Sequence, residues 1–137
     1  MMYALDTNII SHILRGDKDV KQRWRQEESE GNRSVIPLMV YYEVRRGLLA
    51  HDATNKMRAF EELCVTLGIN NLTVADMNTA SNIYAEHKNS GTLIDDTDIL
   101  IAAQCITHSY TLVTHNTRHF ERIEGLQLVD WTEQKEA

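Results

Sequence analysis

The sequence predicts an α/β fold with a parallel sheet. Short apolar runs alternate along the chain with stretches of helical periodicity, the pattern of strands joined by helical crossovers. The first run, Met2-Tyr3-Ala4-Leu5, leads directly into Asp6-Thr7-Asn8. A carboxylate there stands at the carboxyl end of a first strand and the start of a helix, where open α/β sheets bind ligands.

Residues 2–5 read as the first strand and 7–15 as a helix ending near Gly16, capped by Thr7 or Asn8. Residues 18–30 form a charged helix with Val20 and Trp24 on one side. Ser34-Val35-Ile36 is a buried strand stopped by Pro37, followed by a helix over 38–51. Met57, Phe60, Cys64 and Leu67 recur at i, i+3, i+7 and i+10, an amphipathic helix closed by Gly68. A third strand is expected over 71–74. Asp76 then caps a helix that buries Ala80, Ile83, Tyr84 and His87 and breaks at Gly91. Residues 95–108 begin polar and become apolar all round at Ile99-Leu100-Ile101-Ala102-Ala103, a helix packed on more than one side. Residues 111–114 are a central strand, 118–121 a turn of helix and 127–129 an edge strand. The expected organisation is one domain over 1–132 and a loose tail over 133–137.

With 137 residues, 42% hydrophobic and 25% charged, the chain can bury a core without staples. No apolar run approaches the ~20 residues that span a membrane, and no signal-peptide pattern is visible. A cytoplasmic protein without a membrane partner is expected. Cys64 and Cys105 have no CxxC pairing and lie in helical apolar patterns, so both are expected as buried, reduced thiols. The net charge of −6 argues against binding nucleic acid through bulk electrostatics, but allows a carboxylate site with cations gathered on one rim. The six histidines lack HExxH spacing, which argues against zinc, and His12 and His87 read as helix-face residues.

Three acids stand where solvation alone does not account for them. Asp6 ends the first strand, Glu43 interrupts the apolar Met39-Val40-Tyr41-Tyr42-Glu43-Val44, and Asp98 begins the Ile99–Ala103 helix after Asp95 and Asp96. Asn116 follows the strand at 111–114. In a right-handed doubly wound sheet that strand neighbours the first, so Asp6 and Asn116 face one crevice. Each acid alone has an ordinary reading, as an N-cap, a solvated helix residue or a favourable charge at a helix start. Together they would repel, and a hard divalent cation with oxygen ligands, Mg²⁺ or Mn²⁺, relieves that repulsion. Such a site suits phosphate chemistry.

The segments Leu5-Asp6-Thr7-Asn8, Glu43-Val44-Arg45-Arg46-Gly47, Asp98-Ile99-Leu100-Ile101-Ala102-Ala103 and Leu112-Val113-Thr114-His115-Asn116-Thr117-Arg118-His119-Phe120, in that order, resemble PIN-domain ribonucleases. More narrowly they are similar to the VapC-type toxins of type II toxin–antitoxin pairs. The ending Gly125-Leu126-Gln127-Leu128-Val129-Asp130-Trp131 is similar to that subgroup's, and the resemblance runs from Tyr3 to Trp131. It implies an α/β/α sandwich and a Mg²⁺- or Mn²⁺-dependent endoribonuclease that cuts structured RNA such as tRNA through a metal-activated water. It also implies homodimerisation and a cognate VapB-like antitoxin that fills an apolar groove between early helices.

Carried over by position, the family's acids fall on Asp6, Glu43 and Asp98, with Asp96 where some members have an additional acid. Asn116 stands where an acid is frequent, which leaves one formal charge fewer and speaks against a second tightly held metal. Asp6 and Asp98 are expected to bind the ion directly, and Glu43 to ligate it or position the attacking water. Thr7 and Thr114 would hold carboxylates or a phosphate through their hydroxyls. Candidate phosphate contacts are Arg15, Lys18, Arg45, Arg46, Arg118 and His119, although Arg45 could equally neutralise the carboxylates. Trp24, Tyr41, Tyr42 and Leu48 are candidate partner contacts, with core packing as their alternative.

Two other readings compete. The asparagine at 116 favours a PIN-like module that binds RNA or protein without cutting. A phosphoacceptor receiver domain wants an acid pair after strand one and an acceptor Asp near residue 55. Here Asp6-Thr7 and Asp52, in a helical context, do not match.

Overall fold

The strands are short, and those at the centre of the sheet bury both faces, whereas the two at its edges keep exposed residues. In a computed structural model describing residues 1–133, they are β1 (Met2–Leu5), β2 (Arg33–Pro37), β3 (Ile69–Asn70), β4 (Thr111–Val113) and β5 (Gln127–Val129). All pair in parallel, in the order β3-β2-β1-β4-β5. The tail expected over 133–137 lies, beyond Glu133, outside the described residues.

Helices α1 (Thr7–Leu14) and α2 (Lys18–Ser29) connect β1 to β2, and α3 (Leu38–Ala50) and α4 (Thr54–Leu67) connect β2 to β3. Helices α5 (Val74–Asn89) and α6 (Asp96–His108) lead back to β4, and α7 (Thr117–Phe120) precedes β5. The chain thus moves outward from β1 through β2 to β3, then crosses back to β4 on the other side of β1. That reversal makes the β1–β4 pair the topological switch point, where a crevice opens beyond the strand ends. Leu5 pairs with Val113, so residues 6 and 114 leave the sheet side by side.

The core forms where the apolar stripes of the helices meet the sheet. Leu5, Ile9, Ile10, Ile36, Val40, Phe60, Ile101 and Leu112 are fully buried, each contributing on the order of 1.5–3 kcal/mol. The α6 segment 99–105 is buried except for Leu100, as its all-round apolar sequence requires. Trp131 closes one end by packing edge-on to Tyr3, ring centres 5.2 Å apart. Buried Glu27 accepts hydrogen bonds from Tyr3 Oη at 3.1 Å and Asn32 Nδ2 at 2.9 Å. These two donors and Arg23 offset the cost of burying its charge.

Several expectations differ. The third strand lies at Ile69–Asn70 rather than over 71–74. Its partner β2 ends at Pro37, which has no N–H to continue the ladder. Beyond it, buried Gln104 takes up the free carbonyls, its Nε2 donating to Asn70 O at 2.8 Å and Asn71 O at 3.2 Å. Thr73, not Asp76, caps α5, and Asp76 returns the bond to the Thr73 N–H, completing a capping box. Tyr84 faces solvent. Cys105 is buried, but Cys64 only partly; both are free. Asp52 lies in the turn between α3 and α4, at a left-handed φ of 54°.

Candidate active site

Asp6 is the floor of a cleft at the β1–β4 crevice. Its backbone N–H continues the sheet, donating to Val113 O at 2.9 Å, and its side chain is 95% removed from solvent, with 5% exposed. It also caps α1 itself, the role assigned to Thr7 or Asn8 from sequence: Oδ1 accepts the Thr7 N–H at 2.8 Å. Oδ2 accepts from Asn8 Nδ2 at 3.1 Å and from Thr114 Oγ1 at 2.8 Å. Of roughly four acceptor positions on a carboxylate, these three donors leave one, on Oδ1.

The cleft has a volume of ≈ 410 Å³ and is lined by Asp6, Thr7, Asn8, Ser11, His12, Arg15, Glu43, Asp98 and Asn116. Five elements contribute: the end of β1, α1 with the residue that follows it, α3, the first turn of α6 and the β4–α7 turn. Glu43 accepts a hydrogen bond from Thr7 Oγ1 at 3.0 Å, which ties α3 to α1. Asn116 is exposed; its N–H donates to Thr114 Oγ1 at 3.0 Å, and its amide makes no capping bond to α7.

The electrostatics are those of acids held together. Burial pushes the Asp6 carboxyl above its ordinary value despite its three donors. Glu43 is raised by burial and by the negative Asp6 and Asp95, against the Thr7 hydrogen bond and Arg46. Asp98 is pushed up to about 6 by burial, then by Asp6 and Glu43. The nearby basic groups stand off: Arg46 Nη2 is 3.8 Å from Glu43 Oε2, and the His119 ring Nδ1 is 3.8 Å from Asp98 Oδ2. An oxygen-only donor set with uncompensated charge fits a hard divalent ion. Among the described residues, no three His, Cys, Asp or Glu side chains converge closely enough to chelate one ion directly.

Not every sequence candidate reaches the cleft. Asp96 is exposed and outside its lining. Asp95, one helical turn before Asp98, is the acid whose charge is felt there, because residues three apart share a helix face and residues two apart do not. Arg45 turns to α4, with Nη1 3.7 Å from Glu61 Oε1. Arg46, at i+3, faces Glu43 instead and stacks on Tyr42 with its guanidinium 4.9 Å from the ring centre. Arg15 lines the cleft, whereas Arg118 and Lys18 are exposed and do not. Of the partner-contact candidates, only Leu48 lines the adjoining ≈ 340 Å³ groove between α1 and α3, beside Leu14 and Val44. Tyr41 stacks on Phe60, Trp24 bonds Glu28, and Tyr42 carries Arg46.

Sequence reading missed Ser11 and His12 as cleft residues and gave Asn8 only a capping role. Asn8 holds the two strand ends together: its Oδ1 accepts the His115 N–H at 2.8 Å while its Nδ2 serves Asp6. The signal was present in α1, where the polar residues Asn8, Ser11, His12 and Arg15 recur at helical spacing against a buried Ile9-Ile10-Ile13 face.

This arrangement matches known proteins. Residues 3–126 match the PIN domain family. The chain belongs to the PIN-domain family. Within it the chain sides with the VapC group: it is 33% identical to Ribonuclease VapC1 of Methanocaldococcus jannaschii over 114 residues, 82% of this chain and 80% of that protein. It is 28% identical to the tRNA(fMet)-specific endonuclease VapC of Salmonella typhimurium, covering 96% of this chain and 98% of that one. The VapBC-1 structure from nontypeable Haemophilus influenzae superposes with a TM-score of 0.84 at 27% identity, over 97% of this chain and 100% of that chain. This PIN chain therefore has the α/β/α sandwich that the resemblance implied. No helix among its described residues is long and apolar enough to cross a membrane.

Proposed function

We propose that this PIN-domain protein is a Mg²⁺- or Mn²⁺-dependent endoribonuclease toxin that hydrolyses phosphodiester bonds of structured RNA, tRNA being the expected class, and is neutralised by a VapB-like antitoxin. The observation that carries this reading is that Asp6, Glu43 and Asp98, from three separate elements, line one cleft where burial raises all three carboxyl pKa values and the neighbouring acids add to the rise at Glu43 and Asp98.

A divalent ion bound in this cleft would neutralise phosphate oxygens and acidify a water. Asp6 offers it the remaining Oδ1 position from a side chain fixed by three donors, so little ordering is needed on binding. Asp98 and Glu43 face the same space, and Glu43, held through Thr7, would ligate the ion or orient the attacking water. The Asn116 amide can accept a hydrogen bond from that water without adding charge. Arg15 and His12 line the cleft, where the Arg15 guanidinium would meet an RNA phosphate and the His12 ring could hydrogen-bond it. The groove between α1 and α3 shares Thr7, Ser11, Arg15 and Glu43 with the cleft. An antitoxin segment seated there would block substrate.

Incubation of the purified protein with total tRNA in Mg²⁺ tests the reading. Cleavage that leaves 5′-phosphates and is lost in Asp6→Asn and with EDTA supports it; EDTA-resistant cleavage overturns the metal mechanism. The presence of Asn116 favours a second reading, a module that binds RNA without cutting. Tight RNA binding with no cleavage in Mg²⁺ or Mn²⁺ would select it.

A further inference from the structure

Asp98 faces a second recess besides the cleft. This recess, of ≈ 200 Å³, is lined by Leu93, Ile94, Asp95, Asp98, His119 and Arg122. Asp98 is the one residue it shares with the cleft, so the two meet at a carboxylate of the candidate centre.

Its walls differ in chemistry. On the segment before α6, Leu93 is 93% exposed, beside partly buried Ile94. On the segment that begins with α7 stand the His119 imidazole, 3.8 Å from Asp98, and the Arg122 guanidinium. Arg122 makes no ion pair among the described residues. Asp95 and Asp98 line the same recess, and across from them the Arg122 guanidinium gives an anion a charged hydrogen-bond donor on its wall. An apolar side chain left in water across from it supplies a surface for a flat, poorly hydrated group. A nucleotide carries both: a phosphate for Arg122 and His119, and a base whose face can lie against Leu93.

We propose that this recess is a nucleotide subsite, holding an unpaired RNA nucleotide that flanks the scissile phosphate on the Asp98 side. It rests on the reading of the cleft as a ribonuclease centre, and adds where the strand goes after it passes Asp98. The strand would pass from Arg15, in the cleft lining, by the acids to Arg122, in the recess lining.

The test is binding of a fluorescein-labelled single-stranded oligouridylate to the full chain carrying Asp6→Asn, which keeps the acceptor that caps α1. In that background Arg122→Gln and Leu93→Ser should each weaken binding about tenfold, the scale of one lost charged or stacking contact. Arg25→Gln, on the exposed face of α2, should leave binding unchanged. With an abasic oligomer of the same length the Arg122→Gln loss should persist and the Leu93→Ser loss vanish. Equal losses for Arg25→Gln and Arg122→Gln would mean bulk electrostatics, and binding indifferent to Leu93→Ser would mean no base contact; either overturns the subsite. Cleavage of total tRNA by the unsubstituted chain is scored separately. Its absence beside intact binding losses refutes the ribonuclease reading and keeps the subsite, whereas cleavage without those losses does the reverse.

Discussion

The Thr114 hydroxyl donates to Asp6 Oδ2 at 2.8 Å, joining residues 108 positions apart across the β1–β4 pair. The same oxygen accepts the Asn116 N–H at 3.0 Å, so one buried hydroxyl sets both the floor and the rim of the cleft. Thr114→Val keeps the shape and removes the donor. Mn²⁺ affinity measured by calorimetry should fall about tenfold, as expected when a charged hydrogen bond of roughly 1.5–3 kcal/mol is lost. Thr114→Ser should restore it. Unchanged affinity in the valine variant would show that the hydroxyl does not position Asp6.

Asp98 gives the metal-free protein a definite pH signature. Its folded-state value of about 6 lies above the ordinary 3.8, so the folded protein holds a proton that the unfolded chain releases. The stabilisation is complete below about pH 4 and disappears as pH rises through about 6. Asp98→Asn should remove that slope and stabilise the metal-free protein at pH 7 by about 1 kcal/mol, the shift being discounted for partial exposure. Urea unfolding at several pH values reads it, and parallel curves for the two proteins would refute it.

Divalent cation should stabilise the fold at neutral pH, because it removes the repulsion among Asp6, Glu43 and Asp98. At a hundredfold excess over Kd the gain is about 2.7 kcal/mol. Scanning calorimetry with and without Mn²⁺ should show the increase in the unsubstituted chain and lose it in Asp6→Asn/Asp98→Asn. A rise of equal size in the double variant would put the ion elsewhere.

Gln104 should matter for stability and not for the cleft. Its Nε2 serves Asn70 O, Asn70 Oδ1 and Asn71 O. Gln104→Leu leaves buried acceptors unpaired and should cost about 1–3 kcal/mol in urea denaturation, with Mn²⁺ affinity unchanged. A loss of affinity would mean that the α6 start depends on this distant contact.

Local chemistry made much of this protein legible. The alternation of apolar runs and helical stripes specified an α/β fold, because strand and helix bury their faces with different periods. The positions of Asp6 and Asn116 after strands, of Asp98 at a helix start and of Glu43 within an apolar helix run were enough to gather them at one crevice. The polar stripe Asn8, Ser11, His12 and Arg15 was also there to be read, but each residue has an ordinary solvated meaning until the crevice is known to face it.

What the sequence by itself determined is the periodicity, the caps and the types of side chain available to the cleft. Tertiary structure alone decided which of them meet. The third strand stopped at Asn70 because its partner ended in proline and a buried glutamine, 34 positions away, claimed the next carbonyls. Arg46 rather than Arg45 came to face Glu43, and Asp95 rather than Asp96 to act on Asp98, because the helix phase that selects them is set by burial of the opposite faces of α3 and α6. Long-range partners of this kind leave no local trace, since their free energy comes from groups that only the closed fold brings within bonding distance.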